Sequence, residues 1–226
     1  VARLLLMLLS LAAAPAAARV EDSMAQRVLA CTACHGKEGR AASDGFHPRI
    51  AGKPAGYLYN QLVAFREGRR HYALMTALID PLSDAYLRDI AAHFAGLELP
   101  YPAPQPPSPS AAVRERGRAL VSEGDRVRGV PACSACHGAA LTGVQPATPG
   151  LLGLPRDYLN AQLGAWRAGQ RQSNAPDCMA KVAQALAPED IAAVSQWLAA
   201  QPVPYPSAAA AALPAPAPLP CGTDAP

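Results

Sequence analysis

Large aromatic side chains are scarce in this chain. Phe, Trp and Tyr together make up 5% of its 226 residues, with 3 Phe and 2 Trp. Once a leader and a tail are set aside, the chain allows two units of roughly ninety residues each, a size that buries only part of its surface. With few rings and abundant Ala and Pro, side chains alone would give such units thin cores. Basic runs are also missing. The formal net charge of +3 comes from 20 Lys and Arg against 17 Asp and Glu, with no Lys/Arg cluster, which argues against nucleic-acid binding. Long apolar runs are missing as well. The longest, within residues 1–18, covers about 14 residues, short of the roughly 20 needed to span a bilayer. Arg3 precedes it and small residues follow, the pattern of an export signal peptide cleaved near Ala18. An uncleaved anchor is the alternative.

Cysteine is sparse, at 6 residues, and four of the six fall into two matching runs. Cys31-Thr32-Ala33-Cys34-His35 is followed by Gly36, and Cys133-Ser134-Ala135-Cys136-His137 by Gly138. C-x-x-C-H is the attachment signature of a c-type heme. Two thiols one helical turn apart can each add to a heme vinyl group, and the adjacent His reaches the iron from the same side. A redox dithiol or half a zinc site would need only C-x-x-C. A zinc cluster would need the two pairs close together, and here they are a domain apart. The expected cofactors are therefore two covalently bound heme c groups, each forming the centre of its unit's core. Haem attachment and disulfides both belong outside the cytoplasm.

Around the first motif, residues 21–30 read as a short helix leading in and 36–45 as a polar loop. Pro48 follows, and its carbonyl is placed to accept from the ring N–H of His35 and fix the tautomer. Residues 56–69 read as a helix with Leu58, Leu62 and Phe65 on one face. Arg66, Arg69 and Arg70 are either solvated charges or neighbours of a heme propionate. Met75, expected in a non-helical segment, is the candidate sixth ligand, since a thioether raises the potential and suits an electron carrier. His71 is its rival, and His47 and His93 are weaker ones. Residues 84–97 read as a closing helix, with Ser83 as N-cap, Leu82 and Leu87 as a staple, and Leu87, Ile90, Ala91 and Phe94 as its stripe.

Residues 100–109, Pro-Tyr-Pro-Ala-Pro-Gln-Pro-Pro-Ser-Pro, exclude helix and central strand and read as a semi-rigid linker. Beyond it the chain repeats itself. Residues 112–121 read as helical, with Gly117 allowing another helix close, and 122–130 as a charged, flexible insertion. Pro149 repeats Pro48, the Tyr158 helix repeats the Tyr57 helix, Met179 repeats Met75, and Leu186 repeats Leu82. Pro188, Glu189 and Asp190 open a last helix, with Ile191, Val194 and Leu198 as its stripe. No His lies near Met179, so the rival ligand has no counterpart in the second copy. The expected divisions are signal peptide 1–18, N-terminal domain 19–99, linker 100–109, C-terminal domain 110–206 and an Ala/Pro-rich tail 207–226. Little regular structure is expected in the tail. Cys178 and Cys221, the remaining cysteines, are expected to form a disulfide beside Met179; two free thiols or an intermolecular bridge are the alternatives.

The duplicated C-x-x-C-H-G with a later Met, the Pro-x-x-x-Gly segment and the Tyr-Leu-x-x-Gln-Leu helix resemble the diheme cytochrome c4 family over almost all of residues 21–206. The resemblance implies an all-α fold of two tandem class I cytochrome c domains with approximate two-fold pseudosymmetry and propionate edges close together. Carried over by position, His35 and Met75 would ligate one iron and His137 and Met179 the other, with Cys31, Cys34, Cys133 and Cys136 holding the macrocycles. The implied role is periplasmic electron transfer between redox enzymes or to a terminal oxidase, with redox proteins as partners and no catalytic residue. A dedicated electron-transfer subunit of a larger complex and a small diheme oxidoreductase acting on a sulfur compound are the alternatives. The Cys178–Cys221 pair and the proline-rich tail depart from the usual family pattern.

Overall fold

Short helices separated by long loops build both halves of the chain, and each set wraps its own apolar core. The computed structural model describes residues 22–42 and 44–222; the expected signal peptide at 1–18 lies outside them. The first half contains α1 (Met24–Arg27), α2 (Leu29–His35), α3 (Ala55–Arg66), α4 (Ala73–Ile79) and α5 (Asp84–Ala95). Ser23 and Ser83 cap α1 and α5, each side chain accepting from a backbone N–H three residues on, which satisfies a donor the helix cannot. Leu87, Ile90, Ala91 and Phe94 form the buried stripe of α5 and pack with Val28, Leu58, Phe65 and Ile79. Leu82 packs against the same cluster as Leu87. Each large side chain buried here stabilises the fold by about 1.5–3 kcal/mol.

The second half contains α6 (Ala111–Ser122), α7 (Ser134–His137), α8 (Arg156–Arg167), α9 (Cys178–Ala185) and α10 (Pro188–Ala199). Between α7 and α8, β1 (Gly143–Val144) pairs antiparallel with β2 (Thr148–Pro149). Helix α6 lies against α10. A Cβ at Gly117 would stand 2.4 Å from the Ala193 carbonyl oxygen and 2.7 Å from the Trp197 Cβ, so only glycine permits this approach. Leu120, Val121, Leu159, Ile191, Val194 and Leu198 form the core beneath. Pro188 stands in the first turn of α10, and the Asp190 carboxylate accepts from the Ala187 N–H at 3.3 Å.

Three segments differ from the sequence reading. Residues 122–130 form a closed turn rather than a flexible insertion. Asp125 and Val130 exchange backbone hydrogen bonds, and the charges pair: Arg116 and Arg128 both reach Asp125 and the buried Asp190 at 2.6–3.0 Å. Met75 and Met179 lie on helices α4 and α9 rather than in non-helical chain. The runs Ala73–Ile79 and Cys178–Ala185 are free of Gly and Pro, and Asp177 caps the second by accepting from Ala180 N–H at 2.9 Å. The tail is irregular, as expected, yet its described part is docked. Gln145 N–H donates to the Ala210 carbonyl, Ala210 N–H to that of Gly143 and Thr142 to that of Ala208. The 100–109 segment is extended, and Gln105 ties it to Ala199 and Arg156.

Candidate functional site

The two C-x-x-C-H runs sit on α2 and at α7, so the helix places each His one residue past the second Cys. Both helices end at a glycine with positive φ, Gly36 at 74° and Gly138 at 81°. At Gly36 the turn is so tight that a Cβ would meet the Ala41 carbonyl oxygen. This explains why both motifs read C-x-x-C-H-G.

Each imidazole is buried, His35 at 8% and His137 at 7% exposure. The Nδ1 of His35 is 2.8 Å from the Pro48 carbonyl, and that of His137 is 2.8 Å from the Pro149 carbonyl. A carbonyl only accepts, so Nδ1 carries the proton and Nε2 keeps its lone pair. Burial pushes both ring pKa values down, which keeps the rings neutral and ready to bind a metal. Burial also pushes the Cys31 thiol up and the Cys133 thiol up to about 12, the opposite of what a reactive dithiol needs. Among the described residues no three His, Cys, Asp or Glu side chains gather into a metal cluster.

One continuous cavity of about 1010 Å³ runs through both halves and is lined by His35, Met75, His137, Met179 and all four motif cysteines. Its volume lies at the top of the roughly 300–1,000 Å³ usual for one small ligand, and its walls include Leu58, Phe94, Leu159 and Leu198. His71 and His47 also border it. His47 is engaged with Asp44 at 2.6 Å, and burial of neither His resembles that of His35. His93 is half-buried, with its ring edge on Phe94, and lies off the cavity wall. Cys178 and Cys221 form a disulfide, so the tail closes over the cavity beside Met179, where Leu213, Ala217 and Leu219 complete the wall.

Of the cations in this cavity, the sequence reading named only Arg70, as one of three candidate neighbours of a heme propionate. Arg49, Lys53 and Arg171 are 3%, 4% and 4% exposed, Arg70 is half-buried, and all four line the cavity. None has a carboxylate within ion-pair distance among the described residues. Arg66 and Arg69, the other candidates, have one each, in Asp84 and Glu67. Arg70 and Arg171 meet across the two halves as an antiparallel bridge. Each guanidinium donates to both Gln61 and Gln162, at 2.6–3.0 Å. Arg70 stacks on Phe65 and Arg171 on Trp166. These partners sit at matching positions of the duplicated sequence, so the cluster carries the pseudo-two-fold relation. Arg49 donates to the Leu99 and Pro100 carbonyls and stacks on Tyr101. Lys53 donates to the Gly150 carbonyl at 3.0 Å, and burial, then Arg49, brings its pKa down to about 7.

Buried charges are normally paired, as Asp190 is. Four cations with no carboxylate partner line an apolar cavity whose two acids, Asp44 and Asp157, are engaged by His47 and Arg156, which makes a site for an anionic ligand. A heme is apolar in its ring and carries two carboxylates, so the neutral imidazoles, motif cysteines, apolar walls and unpaired cations all fit two hemes.

A cytochrome c family model matches residues 115–201. The thiosulfate dehydrogenase electron acceptor of Thiomonas intermedia is 36% identical over 173 residues, covering 76% of this chain and 79% of that protein. The crystal structure of reduced cytochrome c4 from Pseudomonas stutzeri superposes with a TM-score of 0.65 at 32% identity, covering 78% of this chain and 95% of that one. The thiosulfate dehydrogenase TsdBA from Marichromatium purpuratum superposes with a TM-score of 0.70 at 31% identity over 80% of this chain, which spans 40% of that longer protein.

Proposed function

We propose a function from one premise: the chain belongs to the diheme cytochrome c4 family. It is an all-α electron-transfer protein with two covalently bound heme c groups. In the proposed assignment, His35 and Met75 bind one iron and His137 and Met179 the other. Cys31, Cys34, Cys133 and Cys136 carry the thioether links. The observation that carries this reading is the pair of buried imidazoles, each locked by a proline carbonyl and each facing a cavity that a methionine also lines.

When bound, the hemes supply one-electron ferric/ferrous chemistry. The chain does the rest. The Pro48 and Pro149 carbonyls fix the imidazole orientation and strengthen the ring as a donor. Met75 and Met179 offer neutral thioethers that favour the ferrous state and raise the potential. The Leu and Phe walls exclude water. Arg70 and Arg171, which line the cavity, would supply fixed positive charge to heme carboxylates. With two protein ligands per iron no coordination position stays open, so we assign no catalytic residue. The domains are taken as 19–99 and 110–206, joined by the 100–109 linker, in a protein exported to the periplasm. Redox proteins are its partners, met in small, transient encounters.

A second reading has specific support. Two of the matched relatives are named thiosulfate dehydrogenase electron acceptors, and TsdBA has a matching part in a longer chain. On this reading the protein is the dedicated acceptor of a thiosulfate-oxidising enzyme. The test of the first reading is a pyridine hemochrome count with ferric and ferrous spectra. Two hemes per chain and a ferric band of sulfur-ligated iron are expected. Met179→Ala should keep both hemes but admit cyanide at one iron; an unchanged ferric spectrum in that variant refutes the assignment of Met179. Stopped-flow reduction by a thiosulfate dehydrogenase, with and without competing carriers, tests the second.

A further inference from the structure

The Arg70–Arg171 cluster bridges the halves through partners at matching positions, but Lys53 has no such match. Its counterpart in the duplicated sequence is Leu154, which lines the same cavity without charge. Lys53 belongs to the first half yet reaches into the second. Its ammonium donates to the Gly150 carbonyl, next to Pro149, whose own carbonyl holds His137. We infer that Lys53 is a positioning charge that sets the order of the two potentials, making the second-half heme the more easily reduced. The inference rests on the heme assignment proposed above.

The physical chemistry is simple. Reduction removes one positive charge from an iron centre, so a fixed cation nearby favours the reduced form. A buried cation is poorly screened and acts over a longer range than a surface one. Lys53 has no acid to cancel it among the described residues. The first half has no equivalent, because Leu154 stands where a second lysine would give symmetry. As a general scale, a unit charge acting across about 11 Å through an effective dielectric constant near 20 biases a one-electron equilibrium about tenfold. Arg49, whose repeat position is Gly150, is anchored on the Leu99 and Pro100 carbonyls and Tyr101 instead. It adds to the positive charge on this side of the cavity without contacting the His137 loop.

The test is a spectroelectrochemical titration of the holoprotein at about pH 6, where Lys53 is charged. NMR of the ligand methionine methyl groups in partly reduced samples identifies which half is reduced first. In the wild type the second half should lead. Lys53→Leu should lower that potential selectively, shifting the equilibrium between the two half-reduced forms about tenfold toward the first half. Lys53→Arg should hold the wild-type ratio, and Leu154→Lys should raise the first-half potential. Lys53→Gln keeps a donor for the Gly150 carbonyl and serves if the leucine variant folds poorly. A wild type in which the first half leads overturns the inference. So does a neutral variant with two hemes, normal ferric spectra and a ratio within twofold of wild type, or one in which both potentials fall together. Fewer than two hemes in the wild type, or no sulfur-ligated spectrum, instead defeats the heme assignment itself.

Discussion

Cutting the tail's tether should cost the second half much of its stability while leaving the first half untouched. Cys221→Ala removes the disulfide to Cys178, which spans a sequence separation of 43. In the chain-entropy treatment a loop of that length restrains the unfolded state by about 4 kcal/mol. That figure is an upper bound, because the tail also holds on by other means. Ala210 bonds to Gly143 and Gln145, Ala208 to Thr142, and Gly222 to Pro176, each worth about 1 kcal/mol net. Leu213 and Leu219 bury apolar surface on the cavity wall. The tail therefore stays docked part of the time, and a loss of about 2–4 kcal/mol is expected. For a domain of this size that lowers the melting temperature by about 10–20 °C. Guanidinium unfolding followed at the heme bands should show an early transition for the second half and an unmoved one for the first. Limited proteolysis should cut the tail faster in the variant. A loss under about 1 kcal/mol with the tail equally protected would refute the reasoning and show that the noncovalent contacts alone fix this segment.

Gly117→Ala should destabilise the second half by about 1–3 kcal/mol, read by the same guanidinium transition, because the new methyl meets the Ala193 carbonyl rather than a side chain that can move. Acid should also weaken the second half. Hydrogen bonds from Arg116 and Arg128 hold Asp125 down to about 2, and although burial pushes Asp190 upward, the same arginines keep it below its ordinary 3.8. These carboxylates stabilise the fold fully above their unfolded values near 3.8, and the contribution is lost as pH falls toward about 2. Asp190→Asn should flatten that stretch of the stability-against-pH curve, measured by thermal melts between pH 2 and 5. Arg171→Met should lower both heme potentials, in contrast to Lys53→Leu, because Arg171 bridges Gln61 and Gln162 and so faces both halves; a drop confined to one heme in the redox titration would refute the shared role.

Much of the local structure was legible because it depends on neighbours in sequence. Ser83 caps α5 and Leu87, Ile90 and Phe94 make its buried face because capping and helical period are local properties. The glycine after each motif could be read as a companion of C-x-x-C-H, though its reason, a left-handed turn against Ala41, appears only in the folded chain. The helical setting of Met75 and Met179 was missed because the ligand expectation favoured a loop over the plain helix-forming composition around them. The 122–130 turn was missed for a different reason: its order comes from Asp190, which is remote in sequence. The buried cations were the least legible. Arg70 and Arg171 stand at matching positions of the repeat, a signal present in the sequence. Nothing local, however, separates them from Arg66 and Arg69, which the fold pairs with Asp84 and Glu67.

Duplication explains the frame, and the departures from it explain how two similar sites can differ. Gln61 with Gln162, Arg70 with Arg171, and Phe65 with Trp166 hold the halves together through reciprocal contacts that a two-fold relation can satisfy. Such a frame by itself gives two equivalent environments, and two equivalent sites have no preferred direction for an electron. Three features break the equivalence, and all three bear on the second site. Lys53 places a cation there from the other half. The Arg116–Asp125–Arg128–Asp190 network stiffens the turn that precedes its heme motif. The tail, tied at Cys178, covers the cavity next to Met179. In the first half, Phe46, Leu74 and Leu78 border the cavity and remain exposed. A site that is better covered and closer to a buried cation holds an electron more tightly, and a site with an exposed edge exchanges one more readily. The asymmetry therefore argues for entry through the first half and storage in the second.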